Sequence, residues 1–161
     1  MDQTKLDFIS KGYAPYPDAL SAETPAVWGK MNAQQMIEHL ADFYDVSTGK
    51  IETVLYTPEE HLPKYREFLM SEKMFRENTT APEQLLGEEP LAMRLPGLNE
   101  AKERLAISVN EFNRYFENDP MRETLHPVFG MLNYDEWVRL HYKHVIHHLR
   151  QFSLIPAEFA A

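Results

Sequence analysis

Four of the chain's seven histidines, His141, His144, His147 and His148, fall in the stretch His141 to Gln151, where apolar residues recur with helical period. At 3.6 residues per turn, His144 and His148 lie one turn apart on one face, so their imidazoles can converge on one metal ion or one buried acceptor. A third histidine, His39, falls on the apolar stripe of Met36, Leu40 and Phe43 about a hundred residues earlier. Three inward-facing histidines on two helices would make an open metal site. Imidazoles without thiolate suit a first-row divalent ion, zinc or nickel ahead of iron or manganese, and leave coordination positions for water or substrate.

Trp137, Leu140, His141, His144, His148 and Phe152 share one broad face, so these histidines are interleaved with expected core. A protonated imidazole is costly in an apolar interior. Three readings stay open: a neutral ring hydrogen-bonded to its surroundings, an ion pair, or a metal ligand. Gln151 and His141 are candidates to orient a ligand or substrate, with Glu38 and Asp42 as further partners by sequence proximity. His147 points away from the His144 and His148 face and is expected at the surface. His61, in a charged stretch, is expected in solvent, and His126 before Pro127 is expected to fix a turn.

The elements that must position these groups are helical. Asn32 with Gln35 predicts a capping box opening a helix that runs to Gly49, and Asn133 with Glu136 predicts another for a helix from about Tyr134 to Leu154. Asn99 is read as the cap of an amphipathic helix carrying Ala101, Leu105, Ser108, Val109, Phe112 and Phe116. Thr57, Pro58 and Glu60 predict a further start, although Pro63 obscures it. Pro15, Pro17 and Pro25 make residues 1–30 a short helix and an irregular arm, and the proline-rich stretch from Asn78 to Gly97 reads as a long crossover able to act as a lid. No β-alternation of useful length is visible. The expected fold is an all-α antiparallel helical bundle with one long connection, in one domain spanning 1–161.

Bulk properties narrow the function. A formal charge of −9, from 16 basic and 25 acidic side chains, opposes a phosphate backbone, so nucleic acid is not an expected partner. The absence of cysteine excludes a disulfide framework, a thiolate metal site and a cysteine nucleophile, so any thiol must arrive with a substrate. No stretch approaches the roughly 18 consecutive apolar residues of a membrane helix, and the start lacks a secretory core. No membrane association and a cytoplasmic location are expected.

The run Trp28-Gly29-Lys30-Met31-Asn32, continuing through Gln35 to His39-Leu40, resembles the DinB/YfiT-like superfamily of damage-inducible four-helix bundles. The later His126-Pro127-Val128-Phe129-Gly130 turn, Glu136-Trp137 and His148 to Phe152 extend the resemblance over about residues 25 to 155, within a bacterial branch. It implies that His39, His144 and His148 hold a divalent metal, with Gln151 in the family's glutamine position. It also implies stress response without DNA contact, homodimers, and thiol-dependent transferases or isomerases that use a low-molecular-weight thiol. The chain departs from better-known members in its proline-broken first helix and in Leu149-Arg150, where they have Arg-Gly.

The leading expectation is a metal-dependent transferase or hydrolase acting on a small electrophile. The rivals are a module that binds metal or a small molecule without turnover, and a metal-free structural bundle.

Overall fold

The computed structural model describes residues 1–12, 15–79 and 89–159, and the chain is mostly helical. Asp2 opens helix α1 (Gln3–Asp7) by accepting from the Lys5 backbone N–H at 3.1 Å. A π-helical turn, Phe8–Gly12, and the short helix α2 (Pro15–Asp18) follow. Ile9 and Leu20 sink into the core, so the arm is packed.

Helix α3 (Ala33–Ser47) has the expected capping box, with Gln35 N–H donating to Asn32 and Asn32 N–H donating back to the Gln35 side chain. Its buried face, with Met36, Ile37, Leu40, Ala41 and Tyr44, packs along α5 (Leu98–Glu117). Helix α5 buries the predicted stripe from Ala101 to Phe116, but its cap is Gly97 and not Asn99. The Glu100 carboxylate occupies the space beside Gly97, where a Cβ would come within 2.9 Å of it. The Thr57 capping box also fails. Pro58 stands at the cap without a side-chain bond, and a 3-10 turn, Glu59–His61, leads into α4 (Leu62–Met70).

Among the described residues the departure from an all-helical fold is one hairpin, β1 (Thr124–His126) against β2 (Gly130–Leu132), with Thr124 opposite Leu132. Three-residue strands are too short to show alternation in sequence. The Thr124 hydroxyl accepts from the Trp137 indole at 2.7 Å and donates to the Ser47 carbonyl at 2.7 Å. The hairpin thereby ties the end of α3 to helix α6 (Tyr134–Gln151), whose Asn133 and Glu136 capping box is as expected.

Of the predicted crossover and lid, residues 80–88 lie outside the described residues. The part from Glu89 to Leu95 runs against the first half of α3. Gln35 donates to the Leu91 carbonyl at 2.9 Å, and Gln34 to the Leu95 carbonyl at 2.8 Å. Among the described residues no helix is long and apolar enough to cross a membrane.

Candidate metal centre

Helix α3 supplies His39 and helix α6 supplies His144 and His148, and the fold brings the three rings together. One ring nitrogen from each lies within 4.8 Å of the others, so the group could hold a metal ion. His148 is buried and the other two are partly buried. His39 Nε2 stands 2.9 Å from His144 Nε2, which stands 3.0 Å from His148 Nε2. Phe43 packs against the His144 ring, centroids 4.0 Å apart, and limits its rotation.

Burial is the main reason these rings stay neutral. It pulls His39 down to about 4, with His147 a smaller cause, and holds His144 and His148 well below the usual histidine range. Their mutual repulsion adds to the effect. A neutral imidazole carries one proton, and its position on His148 follows from the neighbours. The Gln151 side-chain amide donates from Nε2 to the Trp28 carbonyl at 2.9 Å, which leaves Oε1 facing His148 Nδ1 at 2.8 Å. An amide oxygen only accepts, so the His148 proton sits on Nδ1 and Nε2 is a lone pair facing the other two rings.

That assignment leaves the cluster short of protons. His144 must donate its Nε2–H to His148, and then has no Nε2 lone pair for His39. Whichever ring nitrogen of His39 carries its proton, the one Nε2 of His144 cannot donate to His148 and also accept from His39, so the contacts at 2.9 and 3.0 Å cannot both be ordinary hydrogen bonds. His144 Nδ1 meanwhile is buried without a hydrogen-bond partner. A cation accepting a lone pair from each Nε2 would resolve the conflict, and neutral nitrogen donors of this kind suit the first-row divalent ions. The residues present therefore fit a metal.

The other candidates have different duties. His141 stacks on Tyr44 at 3.9 Å and 7°, and its Nε2 is buried without a partner; no hydrogen bond joins it to the three rings among the described residues. Glu38 and Asp42 serve the crossover. Glu38 accepts from Gln34, from the backbone N–H groups of Arg94 and Leu95, and from the Arg94 guanidinium, while Asp42 accepts from Arg94 at 2.7 Å. Burial pushes the Glu38 carboxyl up, but these bonds outweigh it and hold the group below its usual range. His126 does fix its turn, its Nδ1 accepting from Val128 N–H at 3.0 Å and Phe129 N–H at 3.1 Å. His61 is exposed, as expected.

His147 corrects the sequence reading: it is buried, not superficial. Its ring meets Trp28, Phe75 and His148 edge-on, because α6 is covered on a second side by α4 and the N-terminal arm. Arg94 escaped sequence reasoning because it reaches Glu38 across 56 residues. Together with Glu38, Asp42, Gln35 and Pro90 to Ala92, it lines a cavity of about 40 Å³ with His39 in its wall. Small ligands could approach the ring cluster there.

No curated protein and no solved structure matches the chain. The model of the DinB superfamily matches residues 13–152, a span that takes in the arm from residue 13 onward, both histidine-bearing helices and Gln151. The chain belongs to the DinB superfamily.

Proposed function

We propose that His39, His144 and His148 hold one divalent first-row ion, zinc or nickel before iron or manganese, and that the protein uses it in thiol-dependent transfer or hydrolysis on a small electrophile during stress. The observation that carries the metal assignment is the convergence of three neutral Nε2 atoms with too few protons to bond one another. Family membership and the absence of cysteine support the rest: with no thiol of its own, the chain would take one from a low-molecular-weight co-substrate. Within the same reading the helices form the superfamily's antiparallel four-helix bundle, supported by the packing of α3 on α5 and of α6 on α3 and α4. A homodimer in the cytoplasm is part of the proposal.

A bound ion would supply Lewis acidity, lowering the pKa of a thiol or water in its open position. The protein's own contributions are separable. Gln151 holds the His148 ring in one tautomer, Phe43 holds the His144 ring, and the segment Glu89 to Leu95, fastened by Glu38, walls the approach beside His39. The testing experiment is a panel of small electrophiles offered with a low-molecular-weight thiol. Turnover in the parent that disappears in His144→Ala supports the enzyme reading, and turnover that survives the substitution refutes it.

One observation favours the second reading, a binder without turnover. Glu38 and Asp42, carboxylates lining the cavity beside His39, are both engaged by Arg94, so neither stands ready as a general base. Tight metal retention without thiol-dependent activity would select it.

A further inference from the structure

Gln151 is gripped at two points by the arm that precedes α3. Its backbone carbonyl accepts from the Val27 N–H at 2.7 Å, and its side-chain amide donates to the Trp28 carbonyl at 2.9 Å. The grip decides which end of the amide faces His148. Rotating the amide by half a turn would set its oxygen against the Trp28 carbonyl oxygen, two acceptors with no proton between them. Gln151 is 3% exposed and His148 is 4% exposed, so solvent has little access with which to repair such a mismatch.

Gly29 makes the grip possible. Its φ of +78° lies in the left-handed region, and a Cβ at this position would come within 2.7 Å of Gln151 Nε2. Any other residue would therefore push on the amide nitrogen itself. The Trp28 ring closes the same corner, meeting His147 edge-on at 5.7 Å, and His147 meets His148 at 5.1 Å.

We propose that Trp28 and Gly29 are positioning residues for the histidine centre: the Trp28 carbonyl orients Gln151, and Gln151 fixes His148 as the Nδ1–H tautomer, directing its Nε2 lone pair at the ion. The last step rests on the metal assignment, while the tautomer exists with or without metal. Partners that orient a metal-bound histidine in this way typically change metal affinity 10–100-fold when lost.

Two readouts separate the tautomer from the metal. Long-range proton–nitrogen spectra of the metal-free protein near neutral pH report the tautomer of each histidine, and cobalt(II) titration reports affinity. The parent should show His148 as Nδ1–H. Gly29→Ala should introduce the Nε2–H form and weaken cobalt binding by about 10–100-fold. Where Gly29→Ala does not fold, Gln151→Leu removes the acceptor and should move the same signals. Unchanged His148 signals in a folded variant would overturn the proposal. Signals that move as expected while the parent takes up no cobalt would sustain the positioning role and refute the metal assignment instead.

Discussion

His126 and the group of His39, His144 and His148 are both kept neutral by burial, yet their ring nitrogens meet different partners. At His126, pulled down to about 3 by burial, the Nδ1 lone pair accepts two backbone N–H groups and the turn is closed. In the trio, nitrogens face nitrogens, and His148 cannot supply a proton because Gln151 holds it on the far side of the ring. Burial and a depressed pKa are common to both regions and identify neither. Ring nitrogens that face one another, instead of backbone N–H groups, are what would distinguish a site for a cation from a structural histidine.

The largest expected effect separates the regions by metal. With free ion at about 100 times its Kd, binding to the folded state contributes about 2.7 kcal/mol, a rise in Tm of roughly 5–10 °C for a domain of this size. Thermal melts with and without chelator should show that shift in the parent and lose it in His144→Ala. An equal shift in both would break the contrast.

The converse substitution, His126→Ala, should cost about 2 kcal/mol by stranding two buried N–H groups, while the chelator-dependent shift stays as in the parent. Denaturant titration measures the first and melting the second. Loss of the metal effect here would mean that the hairpin and the centre are one unit.

Acid sharpens the same contrast. The folded His126 pKa of about 3 lies below the roughly 6.5 of an unfolded histidine, so above about 6.5 neither state binds a proton and the contribution is flat. Between these values only the unfolded chain is protonated, and stability falls with falling pH by about 1.4 kcal/mol per unit. The stability gap of about 2 kcal/mol between the parent and His126→Ala should therefore close at about pH 5 and reverse by about pH 4. A gap that stays constant in urea titrations at successive pH values would contradict a neutral buried His126.

The smallest effect concerns the wall of the approach. Glu38→Gln replaces a carboxylate that accepts four donors with an amide that can accept fewer, and should cost about 1 kcal/mol in denaturant titration without changing metal content. Metal loss in this variant would place Glu38 closer to the chemistry than its bonds to Arg94 indicate.

What the sequence disclosed follows from range. The capping boxes at Asn32 and Asn133, the stripe on α5 and the spacing of His144 with His148 are local patterns, and local patterns survive in a linear reading. His39 needed the helical stripe and the resemblance together. His147 was misplaced because one helix face was counted as buried, whereas α4 and the arm enclose α6 from another side. Arg94 and the Trp28 carbonyl were invisible for the same reason: their partners lie 56 and 123 residues away, and one of them is backbone, which has no signature in residue type.

The central claim is most directly tested by elemental analysis of untagged protein as purified, beside a variant carrying His39→Ala, His144→Ala and His148→Ala. The structure predicts close to one divalent ion per chain in the parent and none in the variant. A metal-free parent that also resists reconstitution, or equal metal in both proteins, would contradict it and return the three histidines to the core.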